Sequence, residues 1–292
     1  METLAKPIGI IGLGLMGTAL AERFLEHGYP VVVWNRTREK ALPLLTRGAA
    51  WNENPLFECS RVILSLYTSE IVSEVLVRME KGLSEGKIIV DTTTGNPDHA
   101  LDLEKKLRTR GIQYLEAPIS GSSEQTRRGE ATVIVGGDAE AFRTCSDLWS
   151  IMGQKVFHVG PCGNATKMKL ISNLVLGLNR AALAEGLVFA EAIGISSAAA
   201  LEIMSSSAAY ARVMDSKGRK MIENDFTVQA RLSQHLKDVR LMLDAARSAG
   251  LTLPLTQTHR ELLERAETSG LGELDNSAII QILRGSKASR PT

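Results

Sequence analysis

The sequence predicts an α/β fold in two parts: an N-terminal Rossmann domain with a doubly wound, mainly parallel sheet, and an all-α C-terminal domain joined to it by a long interdomain helix. Through the first half, short runs rich in Val and Ile alternate with helical stretches, as in parallel sheets that are buried on both faces. A glycine-rich turn follows the first run, and after residue 160 only helical periodicity remains. We therefore place the domains at residues 1–163 and 164–292.

The hydrophobic pattern predicts seven strands, each a run of five or six residues, and six helices in the second half. The first of these helices lacks proline, ends before Gly194 and would be about 43 Å long at 1.5 Å per residue. Because Lys167, Lys169 and Arg180 interrupt its apolar surface, we expect a buried core helix and no membrane span. We predict strands at residues 8–12, 30–34, 61–66, 87–91, 112–117, 131–136 and 155–159, and helices at residues 165–193, 196–206, 208–222, 228–249, 254–269 and 274–284.

Composition and charge argue against several classes of partner. Lys plus Arg number 34 and Asp plus Glu number 33, so the near-neutral chain gives no reason to expect nucleic acid or an anionic membrane. The N-terminus shows no pattern of a signal peptide. Three cysteines, Cys59, Cys145 and Cys162, fit neither a metal site nor a disulfide framework, which favours the reducing cytoplasm.

The glycine-rich turn has the pattern of a dinucleotide-binding loop. It reads GLGLMG, follows the first strand and opens a helix, which is the setting that this pattern needs to be specific. Gly12 permits the tight turn, Gly14 lets the backbone approach a pyrophosphate, and Gly17 lets the helix pack against the strand. We predict that the whole turn contacts the cofactor: Gly12, Leu13, Gly14, Leu15, Met16 and Gly17.

The end of the second strand indicates which dinucleotide binds. An NAD site usually places Asp or Glu here to bind the ribose 2′-hydroxyl, but this chain has Asn35, Arg36 and Thr37 after Trp34. The guanidinium of Arg36 suits a 2′-phosphate, and Thr37 can donate a further hydrogen bond. The predicted cofactor is therefore NADP(H), although a surface arginine without a role has the same sequence pattern.

Two later strand ends carry small polar residues where ligands of open α/β sheets bind. Asp91 begins the sequence DTTTGNP, and Glu116 begins EAPISGS. Their hydroxyls and free backbone N–H groups could bind a carboxylate, but each segment alone is also compatible with an ordinary polar loop.

Lys169 and Asn173 lie four residues apart at the start of the long helix, so they share one helix face. A lysine whose pKa is lowered by burial can act as a general acid. Residue type alone leaves open a second interpretation, in which the stem of Lys169 covers apolar surface and its ammonium reaches solvent. Lys167 faces another direction.

Together these motifs resemble the β-hydroxyacid dehydrogenase family, which includes 3-hydroxyisobutyrate dehydrogenase, over nearly the whole chain. The motifs that carry the resemblance are GIIGLGLMG, DTTTGNP, EAPISGS, GNATKMKLISN and the LKDV sequence at residues 236–239. The WNRT and GNATKMKLISN segments are most similar to the glyoxylate/succinic semialdehyde reductase branch, which favours NADPH. The family fold implies a homodimer or homotetramer.

The resemblance also implies roles for individual residues. Lys169 would be the catalytic lysine, Asn173 would orient the substrate, and Asp238 would hold the lysine in place. The substrate-binding set would be Ser120, Gly121, Ser122, Thr94 and Asp238; the cofactor-binding set would add Leu66, Thr94 and Lys237 to the glycine turn and to residues 35–37. One departure is Ala230, which stands where many members have a bulky aromatic residue; Tyr210 is a candidate to replace it.

The function expected from these features is NADPH-dependent reduction of a small aldehyde- or keto-acid, of the glyoxylate or succinic semialdehyde type, to the hydroxyacid. The alternatives are oxidation of a 3-hydroxyacid such as 3-hydroxyisobutyrate, with Lys169 as base, imine reduction, which the presence of Lys169 disfavours, and a non-catalytic NADP-binding scaffold. Retention of both Lys169 and Asn173 favours the enzyme over the scaffold.

Overall fold

A computed structural model describes residues 6–285 and divides the chain into two compact units, Met1–Lys169 and Leu170–Thr292. The first unit contains the predicted doubly wound sheet. Its strands run in the order β3-β2-β1-β4-β5-β6-β8-β7, with β9 beside β8. The strands are β1 (Ile8–Ile11), β2 (Val31–Trp34), β3 (Ala50–Trp51), β4 (Arg61–Leu64), β5 (Ile88–Asp91), β6 (Gln113–Glu116), β7 (Ile119–Ser120), β8 (Thr132–Gly137) and β9 (Lys155–His158).

The sheet is mainly parallel, as predicted. The ladder from β3 through β6 is parallel throughout, β8 runs antiparallel to both β6 and β7, and β9 is parallel to β8. The order of the first six strands, 3-2-1-4-5-6, is that of a dinucleotide-binding sheet. The short strands β3 and β7 were not predicted, because two residues are too few to show a hydrophobic period.

Helices cover both faces of this sheet and bury its apolar side chains in two clusters. Leu20 and Phe24 of α1 pack on one face with Trp149 of α7, and Leu76 of α3 packs on the other face with Leu103 of α4. The helices of this unit are α1 (Leu15–Glu26), α2 (Leu42–Leu45), α3 (Ser69–Arg78), α4 (Pro97–Arg108), α5 (Ser123–Arg127), α6 (Ala139–Thr144) and α7 (Ser146–Met152). This packing fixes the carboxyl ends of β1, β2, β4, β5 and β6 at one edge of the sheet, where the candidate site residues follow.

The second unit is helical and has its own apolar core, centred on Leu187, Leu236, Leu263 and Ile280. Its described residues show one isolated bridge, Arg231 to Asp275, beside the helices. The long helix α8 (Asn164–Ala192) runs from the first unit into the second. The remaining helices are α9 (Ser197–Ser205), α10 (Arg219–Glu223), α11 (Leu232–Ser248), α12 (Pro254–Ala266) and α13 (Ile279–Gly285).

By length and composition alone, α8 could cross a membrane, and a core helix of a soluble protein passes the same test. Its buried side chains follow helical spacing, and Leu183, Ala184 and Leu187 pack into the core of the second unit. This burial accounts for part of the apolar character of α8, whose other apolar side chains, such as Ile171 and Phe189, are exposed.

The prediction of one helix over residues 208–222 is wrong for residues 208–212, which are not helical. The chain turns at Ser207, whose hydroxyl accepts a hydrogen bond from the Ala209 N–H at 3.2 Å, and such local bonds compete with helix formation. A π-helical turn at Met214–Gly218 and the short α10 follow. The predicted helix at 228–249 begins only at Leu232, because the N–H groups of Gln229 and Ala230 donate to the Asp275 carboxylate.

Candidate active site

The glycine turn after β1 has the geometry of a dinucleotide cradle. Gly12 has a φ of +99°, which favours glycine. A Cβ atom on Gly12 would overlap the carbonyl of Ser65, and one on Gly17 would overlap the carbonyl of Gly12. A Cβ on Gly14 would meet no atom within 4 Å. Glycine at 12 and 17 therefore permits close packing of α1 on β1. Gly14 leaves open backbone beside the N-terminus of α1, the position at which dinucleotide-binding folds in general bind a pyrophosphate.

The side chain of Asn35 connects this turn to the segment after β2 by hydrogen bonds. Its Oδ1 accepts a hydrogen bond from the Leu13 N–H at 2.9 Å, and its Nδ2 donates to the Thr37 carbonyl at 2.8 Å. The sequence pattern could not reveal this bridge, since it depends on a loop 22 residues away. Arg36 and Thr37 are exposed, and the guanidinium of Arg36 forms no hydrogen bond or ion pair within residues 6–285.

Leu66 follows β4 next to the glycine turn. Its N–H donates to Thr93 Oγ1 at 3.2 Å, and its side chain lies 2.8 Å from where a Gly12 Cβ would be. Thr94 is half-buried in the segment after β5. The residues present at this edge of the sheet fit a nicotinamide dinucleotide.

The segment Ser120, Gly121 and Ser122 leaves β7 and caps α5. The Ser122 hydroxyl accepts from the Gln125 N–H at 3.2 Å, and the Ser122 N–H donates to Gln125 Oε1 at 2.8 Å. This capping box uses the Ser122 backbone donor but leaves the hydroxyl proton available. Ser120 and Ser122 are half-buried, and Gly121 is exposed.

Glu116 is a functional candidate that the residue pattern alone did not single out. Its side chain is buried and accepts hydrogen bonds from the Gly163 N–H and the Thr166 hydroxyl, at the first turn of α8. Burial raises the pKa of Glu116, although these hydrogen bonds oppose the shift. Glu116 therefore fixes the start of the helix that carries Lys169 one turn later.

Asp91 lies directly opposite Glu116 in the β5–β6 ladder. Its Oδ1 accepts from the Thr93 N–H at 2.9 Å and its Oδ2 from the Tyr114 hydroxyl at 2.8 Å. Burial also raises the pKa of Asp91. The parallel register of β5 and β6 therefore places two buried carboxyl groups side by side.

Lys169 and Asn173 lie one turn apart on the buried face of α8. Lys169 is 7 % exposed and Asn173 is 8 % exposed, whereas Lys167 is exposed to solvent. The Asn173 Nδ2 donates to Asp238 Oδ2 at 2.9 Å, and Lys237 Nζ lies 3.2 Å from Asp238 Oδ1. Within the helical unit, Asp238 of α11 thus holds the amide of Asn173 and pairs with the ammonium of Lys237.

Ala230 lies in the segment before α11, and two backbone hydrogen bonds hold it in place. Its N–H donates to Asp275 Oδ2 at 3.1 Å, and its carbonyl accepts from the Asn276 N–H at 2.9 Å. Tyr210 is 48 % exposed, and its hydroxyl donates to Asp215 Oδ2 at 2.6 Å. The replacement of an aromatic residue at position 230 by Tyr210 stays a prediction.

Comparison with known families agrees with this geometry. Residues 7–160 match the family described as the NAD binding domain of 6-phosphogluconate dehydrogenase. Residues 163–283 match the family described as NAD-binding of NADP-dependent 3-hydroxyisobutyrate dehydrogenase. The chain belongs to the 3-hydroxyisobutyrate dehydrogenase family. It is therefore an NAD(P)-dependent oxidoreductase that acts on CH–OH groups.

Individual relatives cover almost the entire chain. Glyoxylate/succinic semialdehyde reductase 1 of Arabidopsis thaliana is 31 % identical over 96 % of this chain and 99 % of its own length. The 3-hydroxyisobutyrate dehydrogenase of Mycobacterium tuberculosis, solved with L-serine, shares the fold at a TM-score of 0.86 and 23 % identity, covering 96 % of this chain and 99 % of its own. Psf3 in complex with NADP+ and 2-OPP has a TM-score of 0.86 and 26 % identity, covering 94 % of this chain and 99 % of its own.

Proposed function

We propose that this protein reduces a small aldehyde- or keto-acid, of the glyoxylate or succinic semialdehyde type, to the hydroxyacid with NADPH. The observation that carries the proposal is the buried lysine of α8, Lys169, one turn from an Asn173 whose amide is held by Asp238. A buried ammonium beside a fixed amide suits protonation and orientation of a substrate oxygen. Similarity to a glyoxylate/succinic semialdehyde reductase supports this substrate class.

Each group of site residues has its own role in the proposed reaction. When bound, the nicotinamide supplies the hydride that the carbonyl carbon receives. Lys169 donates a proton to the developing alkoxide, and its charge stabilises that oxygen. Asn173 orients the same oxygen, and the segment Ser120, Gly121 and Ser122 binds the substrate carboxylate through hydroxyl and backbone donors. We assign Thr94 and Leu66 to the nicotinamide side of the cofactor and Lys237 to cofactor binding.

Preference for NADP(H) rests on the residues after β2. Arg36 is exposed, charged and without a partner in residues 6–285, and the segment 35–37 contains no carboxylate that would accept from a ribose 2′-hydroxyl. A guanidinium binds a phosphate in a planar, two-bonded geometry. The structural relative that contains NADP+ supports this assignment.

The second candidate function is oxidation of a 3-hydroxyacid, with Lys169 as the base. The family description and the fold shared with a 3-hydroxyisobutyrate dehydrogenase favour it. The two candidate functions are opposite directions of one type of reaction and use the same residues. Only measured substrate turnover distinguishes them.

The deciding experiment measures NADPH oxidation with glyoxylate, succinic semialdehyde, methylmalonate semialdehyde and tartronate semialdehyde, and NADP+ reduction with 3-hydroxyisobutyrate. We expect at least one aldehyde acid to give a kcat/KM at least about tenfold above that of the reverse reaction with 3-hydroxyisobutyrate. Turnover of the hydroxyacid alone would establish the second candidate instead.

We also propose that the protein is a cytoplasmic homodimer or homotetramer. Family membership supports an oligomer, as do Ile171, Val175 and Phe189 on α8, which are each more than half exposed. Light scattering on the purified protein gives the subunit number directly, and a monomeric mass at micromolar concentration would contradict the proposal.

A further inference from the structure

Arg180 is a buried cation in the helical unit whose hydrogen-bond donors are largely unused. It lies on α8 and is 2 % exposed. Its Nε and Nη2 atoms find no acceptor among residues 6–285. Its pKa is lowered by burial to about 10, and the charge of Asp275 opposes this shift, so the side chain still carries its charge at neutral pH. Buried charges are normally paired, so these donors are suited to bind an anionic group.

Asp275, the carboxylate whose charge acts on Arg180, already accepts hydrogen bonds from other donors. Lys217 Nζ donates to both oxygens of Asp275, at 2.8 and 2.9 Å. The same two oxygens accept from the backbone N–H groups of Gln229, Ala230 and Ser277. Asp275 therefore attracts Arg180 through space but forms no hydrogen bond with it in the described structure, and its charge is balanced by Lys217.

A second unused donor lies near Gly177, one turn before Arg180 on α8. His259 is 2 % exposed, and its Nε2 has no partner within residues 6–285. Burial, with the positive charge of Arg180, lowers the pKa of His259 to about 4, so the ring is neutral and can present an N–H from either nitrogen. A guanidinium and an imidazole N–H with no acceptor form the donor set that binds a carboxylate.

Gly177 makes room for this arrangement one turn earlier on α8. A Cβ at this position would overlap the ring of His235 and lie 2.8 Å from Cε1 of His259. The two imidazole rings are 5.2 Å apart. Glycine therefore lets both rings approach the backbone of α8 between Asn173 and Arg180.

Helix geometry relates Arg180 to the catalytic face. It follows Lys169 by 11 residues, which is about three turns, so the two side chains point in directions only about 20° apart. Arg180 follows Asn173 by seven residues, a rise of about 10 Å. Long helical side chains lean toward the helix N-terminus, which brings the guanidinium toward Asn173.

We propose that Arg180 and His259 bind a carboxylate, and that this group is the second carboxylate of a dicarboxylic aldehyde- or keto-acid substrate. This substrate assignment rests on the proposed function. The carboxylate site itself does not, because a separate small carboxylate ligand would use the same donors. Binding to Arg180 supplies the negative charge that this buried guanidinium lacks.

The experiment compares glutarate with pentanoate, which have the same chain length and differ by one carboxylate. Calorimetry on the NADPH-loaded protein gives both dissociation constants for the wild type, for Arg180→Met and Arg180→Lys, and for Arg247→Met, an exposed arginine of α11 as control. We expect the wild type and the control to bind glutarate at least tenfold more tightly than pentanoate, as charge-assisted hydrogen bonds allow. Arg180→Met should reduce that ratio to about one, and Arg180→Lys should restore part of it.

Thermal denaturation provides a second measurement. Arg180→Met removes an unpaired buried charge, so its Tm without ligand should equal or exceed that of the wild type. Glutarate should raise the Tm of the wild type and of the Arg247→Met control more than that of Arg180→Met. An arginine that merely supports the fold would show the opposite, a lower Tm for Arg180→Met with no ligand dependence. That result, or equal wild-type affinities for the two acids, overturns the proposal.

Kinetics then identify the source of the carboxylate. Arg180-dependent inhibition by glutarate that is competitive with the aldehyde acid supports the substrate assignment. Arg180-dependent binding that leaves turnover unaffected supports the carboxylate site, overturns the substrate assignment and assigns the site to a separate ligand. If no aldehyde acid is reduced, the proposed function fails, and calorimetry still decides the carboxylate site.

Discussion

Two lysines at the start of α8 differ in burial although they are two residues apart. Lys169 is 7 % exposed, and Lys167 is exposed to solvent. The sequence predicted this difference from helical periodicity, because residues two apart point in different directions. It could not decide whether Lys169 acts as an acid or covers apolar surface, since that depends on which groups surround the ammonium.

Lys169→Ala should reduce kcat by about 10²-fold or more while NADPH binding stays nearly unchanged, because the variant lacks the proton donor but keeps the cofactor residues. Steady-state kinetics and fluorescence titration of NADPH measure the two effects. Lys167→Ala, a matched exposed control on the same helix turn, should retain its turnover. Full activity of Lys169→Ala would exclude the lysine as general acid.

Arg36→Asp should shift cofactor preference toward NADH, because it removes the phosphate partner and adds an acceptor for the ribose 2′-hydroxyl. The measurement is the ratio of kcat/KM for NADPH to that for NADH, which we expect to fall by at least about tenfold, as for the loss of a charge-assisted hydrogen bond. Lys40→Asp makes the same charge change at an exposed position nearby and serves as control. An unchanged ratio in Arg36→Asp would show that the 2′-phosphate binds elsewhere.

Elements with long periodic patterns were predicted well, and short or irregular ones were not. The seven predicted strands all exist, and α8 matches its predicted range to within one residue at each end. The failures have local causes. The strands β3 and β7 contain two residues each. The segment 228–231 is not helical, because Asp275, more than 40 residues later, binds its N–H groups. Contacts at that distance leave no periodic signal in the sequence.

The contacts that position the site were likewise only partly predictable. The glycine pattern located the cofactor turn. It did not predict the hydrogen bond from Leu13 to Asn35 or the hydrogen bonds from the first turn of α8 to Glu116, because the sheet brings these loops together. Hydrogen bonds between a side chain and backbone atoms far away in the sequence form only in the folded chain. The sequence pattern alone therefore does not predict them.

The neighbouring carboxyl groups of Asp91 and Glu116 give the first unit a defined pH dependence. Burial raises both pKa values, so the folded protein keeps protons that the unfolded chain has lost. The stability contribution of this pair is therefore greatest below the ordinary pKa of Glu116, 4.5, and decreases as pH rises toward the raised value. Glu116→Gln cannot ionise, so its free energy of unfolding should depend less on pH over this range.

Urea denaturation from pH 4 to pH 8 measures this slope. Glu85→Gln, at an exposed position of the same unit, should leave the slope as in the wild type. Identical slopes for Glu116→Gln and the wild type would show that Glu116 ionises equally in the folded and unfolded chain.

At the scale of the whole molecule, each unit has a buried polar group that holds its chain segments together. In the helical unit this is Asp275, which bonds Lys217 and the segment before α11. Burial raises the pKa of Asp275, but the charge and hydrogen bonds of Lys217 outweigh burial and bring it below its ordinary value. The stability from Asp275 is present above its unfolded pKa of 3.8 and is lost as pH falls through the lower folded value.

Asp275→Asn should destabilise the protein by about 3–5 kcal/mol at pH 7, because it leaves Lys217 buried without a counter-charge. Chemical denaturation followed by circular dichroism measures the loss, with Asp244→Asn as an exposed control on α11. A change below about 1 kcal/mol would show that Lys217 finds another partner or reaches water.

The path of α8 limits how this protein can be cut or recombined. The boundary between the two compact units falls between Lys169 and Leu170, inside the helix. The distance from the proposed acid to Asn173 is therefore set by one helical turn of a single element. If the two halves were produced separately and divided at this boundary, one would contain Lys169 and the other Asn173. Chimaeras that exchange helical units between relatives should therefore take all of residues 164–192 from one parent.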